Sequence, residues 1–256
     1  MKSRLHVSLT SLFLLTLAGA PALAQHGHQD ANQPRHHDEA AAPAKADQRV
    51  GDPYALGTCP ITGKKLGSME YPVVKLYDGR EVRFCCAGCP AKFEKDQATN
   101  FTKIDEKIIK DQAPLYPLKT SVVTGKDLPA QPYEFVSGNR LIRLGFESEK
   151  TDFLKDPKKH LATLDKAVVE QQGKDYALKA CPVSKEEFGG DMGEPVDLVI
   201  AGRLVRLCCE ACKKDVEKDP AKFVAIVDAA QRDAKAKPDA DPKPNDAHDD
   251  HKHGGG

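Results

Sequence analysis

Tryptophan is absent from the chain, and aromatic residues make up only 6% of it. Proteins that bind single-stranded nucleic acids stack bases on aromatic side chains, so this composition argues against that class. An excess of one charge is also missing, because 38 basic residues are balanced by 38 acidic ones. Nucleic-acid-binding proteins usually show a basic excess or stripe, and we therefore expect no nucleic-acid partner.

A long apolar run is missing as well. The most apolar segment lies within residues 1–24, where Lys2 and Arg4 precede a short run from Leu12 to Leu17. That run is too short for an ordinary membrane-spanning helix. With Ala22-Leu23-Ala24 as a small-x-small cleavage site, the pattern is typical of a secretory signal peptide. We expect residues 1–24 to be removed, the mature chain to have no membrane span, and the protein to be periplasmic or secreted.

Two polar segments, residues 25–50 and 232–256, flank the rest of the chain. Neither contains enough apolar side chains to offset the entropy of ordering, so both are predicted to be disordered. They hold seven histidines: His26, His28, His36, His37, His248, His251 and His253. Imidazoles bind zinc and copper, so these tails either collect metal at low affinity or are simply solvated.

Between the tails the sequence repeats itself with a period of about 60 residues. Similar starts occur at Tyr54, Tyr116 and Tyr176, which are 62 and 60 residues apart. We call the three segments unit 1 (51–115), unit 2 (116–173) and unit 3 (174–231). Units of this size are marginal as independent folds, so they must pack together or be held by a crosslink or a metal.

Each unit is predicted to contain a β-hairpin followed by one or two short helices. The turn signals Asp78-Gly79, Gly138-Asn139 and Ala201-Gly202 mark the hairpins. An Asp followed by Pro at 156–157 and at 219–220 is a strong helix start. The second strands repeat an alternating arginine pattern, as in Arg80 and Arg83, which we expect either to form a solvated face or to offset thiolate charge. The predicted fold class is α+β, with three tandem units.

The eight cysteines fall into two equivalent sets of four. Unit 1 holds Cys59, Cys85, Cys86 and Cys89, and unit 3 holds Cys181, Cys208, Cys209 and Cys212. Four thiolates can close a tetrahedral zinc site, and thiolates also select Cu(I). Spacing alone permits Cys85 or Cys86 to pair with Cys89, so three or four thiols per ion remain possible. Unit 2 has no thiols, because Ser121, Gly145, Phe146 and Glu149 stand at the corresponding positions.

The segments Cys59-Pro60-Ile61-Thr62-Gly63 and Phe84-Cys85-x-x-x-Cys89, together with Phe93, resemble the TRASH and YHS families of small metal-binding domains. Unit 3 repeats the pattern from Cys181 and from Leu207. The resemblance implies treble-clef-like units that bind, sense or deliver heavy metals. It also implies the ligand sets Cys59, Cys85, Cys89 and Cys181, Cys208, Cys212. Cys86 and Cys209 stand where YHS sequences often have Ser.

These observations predict a non-enzymatic, exported metal-binding protein with zinc or Cu(I) as its ion. Metal buffering, delivery or resistance would be its role, with metal ions and an envelope transporter or metalloprotein as partners. One alternative is a structural or interaction protein held together by disulfides, which an oxidising compartment favours. Another is thiol–disulfide catalysis by the CxxC motifs at 86–89 and 209–212. His160 is predicted to be a surface or packed helical residue, and Gly189–Gly193 a loop.

Overall fold

A computed structural model describes residues 48–68, 71–189 and 193–236. All of them belong to one of the two compact parts into which the chain divides, Ala40–Gly256. The predicted signal peptide and the seven tail histidines lie outside the described residues.

Three two-stranded antiparallel hairpins form the β structure. They are β1 (Val73–Tyr77) with β2 (Arg80–Phe84), β3 (Tyr133–Ser137) with β4 (Arg140–Leu144), and β5 (Val196–Ile200) with β6 (Arg203–Leu207). Both residues of every predicted turn have positive φ, for example Asp78 at 50° and Gly79 at 79°. Two positive φ values in succession fit the twist of a hairpin, which is why these dipeptides set its register.

Each hairpin is followed by a short helix and a long one. The short helices are α1 (Cys89–Glu94), α3 (Glu149–Lys155) and α5 (Cys212–Lys218), and the long ones are α2 (Gln97–Gln112), α4 (Pro157–Gln172) and α6 (Pro220–Ala236). A 3-10 turn at Ala113–Leu115 follows α2. Within the described ranges, none of these helices combines the length and the apolar character needed to cross a membrane.

Two of the long helices begin at the predicted capping residues Asp156 and Asp219, and the third begins in the same way at Asp96. The carboxylates of Asp96, Asp156 and Asp219 accept hydrogen bonds from the backbone N–H three residues later. A cap of this kind satisfies one of the N–H groups that the first turn leaves free. Helix α6 continues to Ala236 and therefore passes the predicted start of the C-terminal tail at residue 232.

Each hairpin and its helices enclose a core of their own. Phe93, Phe153 and Val216 occupy matching positions in the short helices, and all three are fully buried. The protein is thus a mixed α and β structure built from small hairpins and helices, as the sequence predicted at this level.

The expectation of a solvated arginine face was wrong for three of the six arginines, while Arg80, Arg143 and Arg206 are half-buried. Arg83, Arg140 and Arg203 are only 6%, 2% and 6% exposed. Three arginines that begin the second strands instead pair with an Asp 25 residues later: Arg80 with Asp105, Arg140 with Asp165, and Arg203 with Asp228. The long helix of each unit folds back on its hairpin and carries this Asp, so the guanidinium is buried with a partner.

Asp52 and Asn139 together connect the three hairpins at one buried point. The Asp52 carboxylate accepts hydrogen bonds from Arg140 Nε at 2.8 Å and Nη2 at 3.0 Å, and from the backbone N–H of Ala201. The backbone oxygens of Asp52 and Glu81 both accept from Asn139. Burial opposes the charged guanidinium, but the carboxylates of Asp52 and Asp165 outweigh it and raise the pKa of Arg140. The start of unit 1 is thereby tied to the turns of units 2 and 3.

Replacing Arg140 with Met should lower the free energy of unfolding by about 3–5 kcal/mol, because Asp52 would remain buried without its charged partner. Thermal or urea unfolding of the full chain measures this loss. Lys166→Met serves as the matched control, since its ion pair with Glu170 is exposed, with side chains 79% and 67% accessible, and contributes little. Equal effects of the two substitutions would show that the Asp52 contacts do not hold the hairpins together.

Candidate metal centres

Three buried thiols converge in unit 1. Cys59 lies in a tight turn closed by the hydrogen bonds Cys59 N–H to Lys64 O and Gly63 N–H to Cys59 O, both 2.9 Å. Cys85 directly follows β2, and Cys89 is the first residue of α1. The three Sγ atoms lie within 4.8 Å of one another. The thiols are 0%, 5% and 2% exposed, so a ligand bound among them would be enclosed by protein.

Unit 3 forms the same arrangement from equivalent elements. Cys181 lies in the turn, Cys208 follows β6, and Cys212 begins α5. Their Sγ atoms also lie within 4.8 Å of one another, and all three residues are buried. We call the two groups cluster 1 (Cys59, Cys85, Cys89) and cluster 3 (Cys181, Cys208, Cys212). Each is close enough to bind a metal ion.

The fourth cysteine of each unit lies beside its cluster and is half-buried. Cys86 Sγ is 3.3 Å from Cys89 Sγ, and Cys209 Sγ is 3.9 Å from the Sγ atoms of both Cys208 and Cys212. Neither belongs to the set of mutually close ligands. Sequence spacing left the choice between the two adjacent cysteines open, and the geometry groups Cys85 and Cys208 with the clusters.

All eight cysteines are free thiols in the structure. The sulfur atoms of Cys86 and Cys89 are 3.3 Å apart, whereas a disulfide bond measures about 2.05 Å. The described arrangement is therefore that of reduced cysteines.

Hydroxyl groups of the tight turns contact one sulfur atom in each cluster. Neither hydroxyl was predicted from the sequence as part of the site. Thr62 Oγ1 is 3.2 Å from Cys85 Sγ, and Ser184 Oγ is 3.3 Å from Cys208 Sγ. Their signal was present, because Thr62 and Ser184 stand at the same position of the two Cys-Pro-x-Thr/Ser segments. A hydroxyl that donates to sulfur favours the thiolate, which is the form that binds metals.

The first cysteine of each cluster has a lowered pKa. Burial opposes the charged form of Cys59, but hydrogen bonds from the backbone of Cys85 and from Thr62 outweigh burial and lower its pKa to about 7. Burial likewise opposes ionisation of Cys181, and hydrogen bonds from Ser184 and the backbone of Cys208 lower its pKa to about 7. Each cluster thus holds a thiolate near neutral pH.

The last cysteine of each cluster has a raised pKa and keeps its proton. Burial, followed by the hydrogen bonds with neighbouring sulfur atoms, raises the pKa of Cys89 and of Cys212. A second negative charge in a small enclosed group is unfavourable without a cation. Binding of a metal ion would supply that cation and displace the proton.

Unit 2 closes the corresponding space without sulfur. Ser121 Oγ donates a hydrogen bond to Glu149 Oε2. A Cβ added at Gly145 would come within 2.9 Å of Glu149 Oε1, so the absence of a side chain there makes room for this carboxylate. Phe146 is 72% exposed. Unit 2 therefore keeps the hairpin, the turn and the helices while replacing the cluster with a hydrogen bond.

The remaining candidates do not form a second kind of site among the described residues. His160 stacks on Phe153 with ring centroids 5.4 Å apart, and its Nδ1 is 3.1 Å from the Val122 oxygen, so this residue of α4 packs against α3 as a helical residue. Of the predicted loop at Gly189–Gly193, residues 190–192 lie outside the described residues. Among the described residues, Cys86 and Cys209 are the predicted metal ligands that lie outside the clusters.

The sequence matches no protein-family model, and no curated protein or solved structure is significantly similar to it. The interpretation of the clusters therefore depends on their own geometry and chemistry.

We expect Cys85→Ser to weaken metal binding at cluster 1 by more than about 100-fold, because it removes a converging ligand. Cys86→Ser should change the dissociation constant by less than about threefold, a small difference in binding energy. The same ranking applies to Cys208 and Cys209 in unit 3. Competition with a coloured chelator measures both constants. Equal losses for the two substitutions would indicate a four-thiolate site.

Metal affinity should rise with pH through and above neutrality. Above about pH 7 Cys59 is already ionised while Cys89 keeps its proton, so binding still releases at least one proton and log K should rise by at least about one per pH unit. Below about pH 7 Cys59 must also lose a proton, so the slope should become steeper. Chelator competition across this pH range, corrected for chelator protonation, tests the sign. A flat profile above pH 7 would show that all ligands are already thiolates.

Proposed function

We propose that the protein is a non-enzymatic binder of thiophilic metal ions, zinc or copper, in the cell envelope. The observation that carries the proposal is the convergence of three buried thiols in cluster 1 and again, from equivalent elements, in cluster 3. Soft thiolate ligands select Zn²⁺ and Cu(I) over hard cations such as Mg²⁺. A buried, preformed site binds more tightly than a flexible one, since little ordering is needed on binding.

The resemblance of the Cys-Pro-x-Thr/Ser turns and the Cys-x-x-x-Cys segments to TRASH and YHS domains supports the same function. In this proposal units 1 and 3 are treble-clef-like metal modules, and unit 2 is a degenerate copy that keeps only the scaffold. Residues 1–24 export the chain, and the tail histidines collect metal at lower affinity. Buffering, delivery to an envelope transporter or metalloprotein, or resistance are the roles that suit two buried, exchangeable ions.

Thiol–disulfide catalysis is the second candidate, and one observation favours it. Cys86 is half-buried, 3.3 Å from the buried Cys89. A hydrogen bond with the Cys89 side chain, followed by one from the Gly88 backbone, lowers the pKa of Cys86. An accessible, low-pKa thiol beside a buried one is typical of redox-active CxxC motifs. Cys59 argues against this function, because a third thiol within 4.8 Å of Cys89 Sγ is better suited to holding an ion.

The purified full-length protein should contain about two thiophilic ions per chain, one for each three-thiolate cluster. Elemental analysis together with a count of free thiols measures this stoichiometry. Replacing all three cysteines of cluster 1 with Ser should remove one ion, and replacing both clusters should remove both, because unit 2 holds no thiol.

Two results would contradict the proposal. Metal-free protein with oxidised cysteines would favour a disulfide-stabilised structural protein. Catalytic reduction of a test disulfide by metal-free protein, lost in Cys89→Ser with Cys212→Ser, would favour an oxidoreductase.

A further inference from the structure

Cys86 and Cys209 lie between solvent and the buried clusters. Both are half-buried, whereas every cysteine of clusters 1 and 3 is at most 7% exposed. The residues between each of them and the next cysteine are exposed: Ala87, Gly88, Glu210 and Ala211. A Cβ built on Gly88 would meet no atom within 4 Å, so the space above this loop is open.

Unit 2 shows independently that the scaffold directs this position outward. Phe146 stands where Cys86 and Cys209 stand in the other units, and it is 72% exposed. Ser121, the counterpart of Cys59 and Cys181, is only 2% exposed. The difference between an outer thiol and inner thiols is therefore a property of the fold itself.

The outer thiol is also within reach of an ion held by the cluster. Cys86 Sγ is 3.3 Å from Cys89 Sγ, and Cys209 Sγ is 3.9 Å from Cys212 Sγ. Zinc–sulfur bonds are about 2.3 Å long. An ion bound to Cys89 or Cys212 can therefore be contacted by the neighbouring outer sulfur after a small side-chain movement.

We propose that Cys86 and Cys209 are transfer ligands, which hold the metal ion during its entry into and exit from clusters 1 and 3. This inference rests on the proposed function. During release, the outer thiolate forms a bond to the ion while one metal–sulfur bond of the cluster breaks. Donor atoms of an incoming chelator or partner then replace the two remaining cluster sulfurs and finally the outer sulfur, with one metal–ligand bond formed for each metal–sulfur bond broken. A coordinating sulfur that carries a proton gives it to solvent, a sulfur that leaves the ion is reprotonated from solvent where it was protonated before, and no electrons are transferred.

The proposal separates two quantities that a permanent ligand would change together. A transfer ligand lowers the barrier between the bound and free states without stabilising the bound state. Because the dissociation constant is the ratio of the release and uptake rates, an unchanged constant requires both rates to fall by the same factor when the thiol is removed.

The test compares the double variant Cys86→Ser, Cys209→Ser with the wild-type full chain, loaded with Zn²⁺ or Cu(I). Equilibrium competition gives affinity, and stopped-flow transfer to and from a chromogenic chelator gives rates. We expect affinity within about threefold of wild type and transfer slowed about tenfold or more in both directions. Ala87→Ser with Ala211→Ser is the matched control, since it adds hydroxyls to the same loops and keeps all thiols. Its rates should equal those of wild type.

Three outcomes would overturn the proposal. Unchanged transfer rates would show that the outer thiols take no part in exchange. An affinity loss as large as that of Cys85→Ser would make them permanent ligands. Equal slowing in the matched control would assign the effect to the loop and not to the sulfur. A wild-type chain that binds no metal would instead remove the proposed function itself, which the equilibrium measurement detects before any rate is compared.

Discussion

The buried carboxylate of Asp52 is the contact on which the arrangement of the three hairpins depends. It holds the Arg140 guanidinium at 2.8 and 3.0 Å and also accepts from the Ala201 backbone, so one side chain fixes the turns of units 2 and 3 against the start of unit 1. A buried ion pair is tolerable only when its hydrogen bonds are satisfied. Among the described residues, no buried side-chain nitrogen or oxygen lacks a partner. Position 138, next to these Asp52 contacts, requires glycine, because a Cβ there would lie 2.0 Å from the Val50 oxygen.

Local elements could be predicted from the sequence because their causes are local. Asp78-Gly79 specifies a hairpin turn within four residues, and Asp156 followed by Pro157 specifies a helix start within one turn. The predicted turns, strands and helices also gave the positions of the cysteines in the fold. Each cysteine lies at the end of a strand, the start of a helix or a tight turn. The choice of Cys85 over Cys86 came only from a resemblance, because both spacings place a thiol near Cys89 and only the direction of the chain after β2 separates them.

Contacts between units could not be predicted, because they join residues far apart in the chain. Gln112 at the end of α2 donates to the Asn139 oxygen and accepts from the Leu141 N–H, and Gln172 makes the equivalent contacts with Gly202 and Leu204. Alternation on a two-stranded hairpin normally indicates one solvated face. Here the first arginine of each second strand pairs with the long helix of its own unit, and Arg83 donates to the backbone oxygens of Glu217 and Lys218. Alternation alone does not reveal these contacts.

Unit 2 bears on whether, in the proposed function, a bound ion would stabilise the fold or only be carried by it. Its turn, hairpin and helices form without any thiol, around Ile142, Leu144 and Phe153, and its empty ligand positions are closed by the Ser121–Glu149 hydrogen bond. The scaffold of units 1 and 3 has the same elements and further contacts to its neighbours, so removal of an ion leaves most of its stabilising interactions in place. In small metal-folded domains, by contrast, binding and folding are a single event and release of the ion costs the whole structure. In the proposed function, a fold that persists without its ion would permit exchange, and this is the physical reason to propose a carrier or buffer and not a structural metal site.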